Sequence, residues 1–140
     1  MALPTKLALE IVTPDRALVR EEVDEVQLPG QEGYFGVLPG HTPLLAMLKV
    51  GELWYRIGPE KHYLAIAGGF VEVLPDRVTV LAQIAERAHE IDVARAEAAR
   101  QRAQERLAQP ARDIDLDRAR IALLKSLIRL QVATRARTRV

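Results

Sequence analysis

The feature that most constrains the fold is a change of hydrophobic period near Glu86. Before it, short apolar runs alternate with Gly- and Pro-containing turn signals, a pattern typical of β-strands. From Asp92 onward the chain is rich in Ala, Arg, Glu, Gln and Leu, which are good helix formers. We therefore predict an α+β chain of two parts: residues 1–86 form an antiparallel β-sandwich, and residues 87–140 form an antiparallel two-helix hairpin.

The first part contains six apolar runs that predict strands. Pro75-Asp76-Arg77 predicts a tight turn between the last two runs. Gly68-Gly69 predicts a bulge or a close approach of two backbones. The predicted strands are Lys6–Val12, Val23–Leu28, Leu53–Ile57, His62–Ala67, Phe70–Leu74 and Val78–Ile84.

The second part carries the start and stop signals of two helices. Asp92 and Asp115 each stand where an N-cap belongs, and Pro110 should end the first helix at or before Gln109. This predicts two helices of about 16–24 residues. The first has a seam of small residues, and the second has an apolar face that we expect to pack in the hairpin. The seam is Ala96, Ala99 and Ala103; the apolar face is Leu123, Leu127 and Leu130, widened by Ile121, Leu124 and Ile128.

The two helices echo each other. The pattern Ile-Asp-x-x-Arg-Ala occurs at residues 91–96 and again at 114–119, 23 positions later. Positions i, i+7 and i+11 share one helix face, so each helix carries a basic stripe with an alanine in its middle. The first stripe is Arg95, Arg102 and Arg106 around Ala99; the second is Arg118, Lys125 and Arg129 around Ala122.

Three interpretations of these stripes are open: a solvated helix surface, an anion site, or a nucleic-acid surface. Arg matches phosphate with a planar fork and Lys with a compact charge, so a polyphosphate suits the place where the helices approach. No aromatic residue follows Phe70, so the helices offer bases no stacking platform. A general anion- or nucleic-acid-binding module is the alternative function.

Charge and composition narrow the function classes. Up to Ile84 there are 7 basic and 11 acidic residues, and from Ala85 there are 13 and 8, so an acidic partner is expected for the basic end. There is no Cys, the three His residues are scattered, and no G-x-x-x-x-G-K-[ST] motif occurs. An enzyme is therefore not expected, nor a metal site. No apolar run approaches the roughly 20 residues of a membrane span, and we expect a cytoplasmic protein.

Three segments resemble the epsilon subunit family of bacterial rotary ATP synthases. Leu38-Pro39-Gly40-His41-Thr42-Pro43-Leu44-Leu45 is similar to the family's most recognisable segment, and Gly68-Gly69-Phe70-Val71-Glu72-Val73 to a second. Ile91-Asp92-Val93-Ala94-Arg95-Ala96 resembles its nucleotide-binding motif, I/L-D-x-x-R-A. The resemblance extends over essentially the whole chain.

For the sandwich, the resemblance implies docking to the gamma subunit and to the ring of c subunits of a proton- or sodium-driven ATP synthase. The protein would then lie peripherally at the cytoplasmic face of the membrane, without a catalytic site. His41 is in the loop that faces the c ring in relatives. Tyr34 stands where relatives often carry an acidic residue, which implies a ring contact of different character.

For the hairpin, the resemblance implies two forms. The folded form lies against the sandwich and binds ATP in some relatives, as a regulatory ligand and not as a required cofactor. The extended form enters the alpha/beta catalytic head and blocks ATP hydrolysis. Lys125 stands where the tightest-binding relatives have Arg, so the charge is kept and the bidentate fork is lost. The implied nucleotide contacts are Glu86, Ile91, Asp92, Arg95, Ala96, Arg102, Lys125 and Arg129.

Overall fold

A computed structural model describes residues 3–109 and 115–137. Seven strands precede a short 3-10 turn at Ala88–Glu90 and two helices, α1 (Val93–Ala108) and α2 (Leu116–Arg137). The predicted fold class is confirmed. The strands are β1 (Leu7–Val12), β2 (Ala17–Val23), β3 (Glu25–Gly30), β4 (Gly33–Val37), β5 (Leu44–Ile57), β6 (Glu60–Leu74) and β7 (Arg77–Arg87).

The strands form one sheet in the order β2-β1-β7-β6-β5-β3-β4, which folds over into a sandwich. β2 contacts β5 although three strands separate them in this order, so the sheet curls back on itself around one core. Bulky aliphatic side chains fill that core, with Tyr55 as its largest fully buried member. One pair departs from the antiparallel prediction: β1 and β7, the first and last strands, run parallel, with Leu9 beside Val78.

Several strand limits also differ from the prediction. β2 and β3 meet at Asp24, so the predicted Val23–Leu28 run belongs to two strands. β6 runs unbroken through Gly68-Gly69, where we expected a strand end. The expected close backbone approach is confirmed there: a Cβ on Gly69 would lie 2.2 Å from the carbonyl oxygen of Leu81, and the residue has φ +122°. β4 was not predicted.

The chain divides into two compact units, residues 1–86 and 87–140. In the second, α1 and α2 pack along each other as an antiparallel hairpin, and the 3-10 turn also contacts α2. The lengths of 16 and 22 residues agree with the prediction. α1 ends at Ala108, as predicted; Pro110 itself lies outside the described residues.

Candidate functional site

The repeated Ile-Asp-x-x-Arg-Ala pattern begins both helices in the same way. The Asp92 carboxylate accepts a hydrogen bond from the backbone N–H of Arg95 at 3.1 Å. Asp115 does the same for the backbone N–H of Arg118 at 3.2 Å. Both predicted N-caps are thus confirmed, and each satisfies a donor that a helix start leaves without a partner. Ile91 is buried, and its counterpart Ile114 lies outside the described residues.

Small residues occupy most buried positions of both helices, and α2 in addition buries Val132 completely. Ala96 and Ala103 are buried on α1, which confirms the predicted seam, with Ala99 half-buried beside them. On α2 the buried residues seven positions apart are also small: Ala119, Ser126 and Ala133. We call these residues, Ala96, Ala103, Ala119, Ser126 and Ala133, the seam. Small side chains allow the two backbones to approach closely.

The predicted packing face of α2 is wrong for three of its six residues. Ile121, Leu124 and Leu127 are 50%, 44% and 42% exposed, although we expected them on or beside the packing face. Leu123, Ile128 and Leu130 are half-buried. The physical reason is size: small side chains at the buried positions allow the helices to approach more closely than leucines would. Apolar side chains of α2 thus lie on the exposed as well as on the packed side of the helix.

The basic residues stand at the edge of the seam in both helices. Arg95 and Arg102 directly precede Ala96 and Ala103, and Lys125 directly precedes Ser126. One residue turns an α-helix by about 100°, so each cation lies to the same rotational side of its seam. Antiparallel helices whose seams face each other are related by a two-fold axis normal to their plane. That relation places both basic stripes on one face of the hairpin.

The cations of this face differ in exposure. Arg95, Arg102 and Arg118 are exposed, whereas Lys125 and Arg129 are half-buried. In the described part of the chain, no ion pair involves Arg95, Arg102 or Lys125. Two acidic residues of the helices form ion pairs with arginines that are outside the stripes. These ion pairs are Glu97 with Arg100 at 2.6 Å and Asp117 with Arg120 at 3.2 Å. Within the described residues, Arg95, Arg102 and Lys125 therefore contribute positive charge that no carboxylate pairs with.

The other predicted nucleotide contacts have side chains that are less available to a ligand. The Asp92 carboxylate is already engaged as a helix cap. Ala96 is buried in the seam, so its side chain contributes space between the helices instead of an exposed surface. Glu86 is half-buried near the end of β7, in the other unit, and its role as a nucleotide contact stays a prediction.

The two residues predicted to contact partners are both anchored in the sandwich: Tyr34 lies on β4, and His41 lies in the loop between β4 and β5. The backbone N–H of Gly40 donates to the Pro75 carbonyl at 2.7 Å, and His41 Nδ1 lies 2.6 Å from the Thr42 carbonyl oxygen. Tyr34 is 47% exposed, and its hydroxyl accepts a hydrogen bond from the backbone N–H of Glu52 at 3.1 Å. Both side chains are thus held in place close to the surface, as a contact residue requires.

The sandwich also exposes an apolar patch that the sequence analysis missed. Met47 and Phe70 are cross-strand neighbours on β5 and β6, and both are exposed. With Leu81 they border a shallow cavity of about 420 Å³. Leu45, which is 70% exposed, extends the patch along β5. The available signal was β5 itself, since LLAML is apolar at positions of both faces and only one face can enter the core.

The described residues hold no group of three or more His, Cys, Asp or Glu side chains arranged for a metal ion. Within the same residues, no helix combines the length and the apolar character that crossing a membrane requires.

Comparison with known proteins places both units in one family. Residues 6–88 match the family described as ATP synthase, Delta/Epsilon chain, beta-sandwich domain, and residues 89–134 match its long alpha-helix domain. The ATP synthase epsilon chain of Syntrophobacter fumaroxidans is 56% identical over 128 residues, covering 91% of this chain and 96% of that one. That of Solibacter usitatus is 50% identical, covering 94% and 98%.

A solved structure supports the same assignment. A chain in the cryo-EM structure of the Euglena gracilis mitochondrial ATP synthase, OSCP/F1/c-ring in rotational state 1, superposes with a TM-score of 0.82 at 26% identity. The match covers 96% of this chain and 84% of that one. Fold, family match and sequence identity over almost the full length agree: the chain belongs to the ATP synthase delta/epsilon chain family.

Proposed function

We propose that this chain is a non-catalytic regulatory and rotor-coupling subunit of a proton- or sodium-driven ATP synthase. Its sandwich docks the gamma subunit and the c ring, which holds the chain peripherally at the cytoplasmic face of the membrane. Its hairpin binds ATP when folded, and when extended it enters the alpha/beta head and inhibits ATP hydrolysis. The observation that carries the proposal is the set of cations on one face of a hairpin whose seam contains only small residues.

The anion-binding part rests on charge and spacing. Arg95, Arg102, Lys125 and Arg129 bring four positive charges to one face of the hairpin. Bringing like charges together is unfavourable, and a bound polyphosphate relieves that repulsion. ATP is then a ligand and not a substrate, because the chain has no phosphate loop of the G-x-x-x-x-G-K-[ST] type.

The extended form is supported by the surface of α2. A helix with apolar side chains on its exposed side as well as on its packed side suits a site where protein surrounds it. The folded hairpin leaves Ile121, Leu124 and Leu127 outside. Insertion of α2 into the head would bury these side chains. The cations after Arg118 would meet acidic partner loops.

The docking role rests on the sandwich surface. The exposed patch of Leu45, Met47, Phe70 and Leu81 suits an apolar partner face, for which the gamma subunit is the proposed occupant. His41 and Tyr34 are the proposed contacts to the c ring. The named assembly of the Euglena structure, which contains F1 and the c ring, supports placing this chain in the rotor.

Calorimetric titration of the purified chain with ATP tests the sensing part. Arg95→Ala and Arg129→Ala should each weaken binding by tenfold or more, since each removes a charge-assisted contact to phosphate. Arg100→Ala is the matched control on α1, because Arg100 carries the same charge but is paired with Glu97 off the stripe. Absence of binding at millimolar ATP, or equal losses in all three variants, contradicts the proposed site.

Removal of residues 88–140 tests inhibition separately. The truncated chain, assembled with the catalytic head, should raise ATP hydrolysis above that of the complex with the full chain. Unchanged hydrolysis at both low and high ATP would contradict regulation by the hairpin. Salt-sensitive binding of RNA or DNA instead of ATP would favour the general anion-binding alternative.

A further inference from the structure

Ser126 is the polar member of the hairpin seam. It is the only serine of the chain, it lies between Ala119 and Ala133 in the seven-residue spacing of α2, and it is 1% exposed. Among the described hairpin residues it is the one buried polar or charged side chain. Every other seam position is alanine.

The Ser126 hydroxyl is only partly satisfied. It donates to the carbonyl oxygen of Leu123 at 2.7 Å, a bond within α2 that requires nothing from α1. Within residues 3–109 and 115–137, no group donates a hydrogen bond to its oxygen. The closed seam therefore withholds water from the oxygen's acceptor sites, and opening returns it. Alanine at this position has no hydroxyl oxygen to rehydrate, so this contribution to opening would be absent.

The rest of the seam makes this one hydroxyl significant. Burying a leucine or isoleucine contributes several times as much as burying an alanine methyl, and the seam contains neither; the one larger apolar side chain that α2 buries fully is Val132, outside the seam. Each contact within the seam therefore contributes little, and the partly desolvated oxygen of Ser126 opposes closure there.

We propose that Ser126 sets the balance between the closed and opened hairpin, biasing it toward opening. The regulatory consequence rests on the proposed function, whereas opening itself is a property of the isolated chain. Ser126 would then lower the stability of the closed hairpin, so that ATP or a partner can shift the equilibrium between the closed and opened forms.

Thiol labelling measures the opening directly, because the chain has no native cysteine. In the Ala103→Cys variant the thiol lies in the seam, so a maleimide reacts with it only when the hairpin opens, even if open molecules are rare. Gln101→Cys, exposed on α1, gives the reaction rate of an unprotected thiol. Adding Ser126→Ala should slow labelling of Cys at position 103 about fivefold.

Thr134→Ala is the matched control. The Thr134 hydroxyl makes the same bond three residues back, to the Gln131 carbonyl at 2.6 Å, on the same helix, but the residue is exposed. It should leave the labelling rate within twofold. Ser126→Leu, which overfills the seam, should accelerate labelling. Circular dichroism checks that the helices of each variant remain folded.

Two outcomes separate this inference from the proposed function. If Ser126→Ala leaves labelling unchanged, or slows it no more than Thr134→Ala, the role of Ser126 is refuted. If Ser126→Ala slows labelling but leaves ATP hydrolysis by the assembled complex unchanged, the seam inference stands and regulation by the hairpin is contradicted.

Discussion

The sandwich and the hairpin bury different kinds of side chain. The sandwich encloses large ones completely, among them Ile11, Leu64 and Tyr55. The hairpin buries Ile91, Val132, four alanines and one serine, and its other described isoleucine and leucine side chains are half-buried or exposed. Since apolar burial is the main favourable contribution to folding, we expect the sandwich to be the more stable of the two units.

The first test of this comparison removes one leucine from each unit. Leu64→Ala in the sandwich should lower the free energy of unfolding by about 2–5 kcal/mol, because it leaves a cavity in a packed core. Leu124→Ala, at an exposed position of α2, should change it by less than about 0.5 kcal/mol. Urea unfolding gives both values, with Trp54 fluorescence reporting the sandwich and far-ultraviolet circular dichroism the helices. Equal costs would contradict the contrast.

The second test weakens the hairpin alone. Asp92→Ala and Asp115→Ala each remove an N-cap and should destabilise the capped helix by about 1 kcal/mol. Hydrogen exchange of the first-turn amides of α1 and α2 should accelerate accordingly. The urea midpoint followed by Trp54 should stay at its wild-type value. A matching drop in that midpoint would show that the two units unfold as one, against the account.

The third and smallest effect concerns an ionised side chain of the sandwich and the stability that it contributes. In the sandwich, the hydrogen bond from Lys6 lowers the pKa of Asp24 below its ordinary 3.8, helped by the backbone N–H of Gly58. A lowered pKa contributes stability that is present above the unfolded value and is lost as the pH falls through the folded value. Asp24→Asn should therefore flatten the stability loss of the sandwich below about pH 4.

Urea midpoints measured by Trp54 fluorescence between pH 2 and pH 6 check this prediction. Glu21→Gln, on the exposed surface of β2, is the control and should keep the wild-type slope. An Asp24→Asn chain with the same slope as wild type would remove Asp24 from the acid sensitivity.

Much of the architecture follows from local signals. The change of period near Glu86, the caps at Asp92 and Asp115 and the end of α1 are decided by residues close in sequence, and all were predicted. The packing face of α2 was not, because an apolar helix offers more than one face at seven-residue spacing. Which face packs depends on α1, whose thin seam accepts Ser126 and excludes leucine. The parallel pairing of β1 with β7 is equally non-local.

The candidate site likewise has features that could be predicted from the sequence and features that could not. The basic stripes could be predicted because they are periodic, and their shared face follows from the repeat. The partly satisfied hydroxyl of Ser126 and the apolar patch around Met47 could not, since each depends on burial decided by distant segments. The nucleotide itself comes from the family, and its contacts remain proposals.

The most direct test of the account is the distance between α1 and α2 as ATP is added. Spin labels at Gln101→Cys and Gln131→Cys lie on neighbouring helices in the closed hairpin, and would be about 45 Å apart if the helices ran end to end. Double electron–electron resonance should show the short-distance population growing with ATP in the wild-type background, and not with Arg95→Ala. A distribution that millimolar ATP leaves unchanged would contradict the central claim that the basic face of the hairpin senses nucleotide.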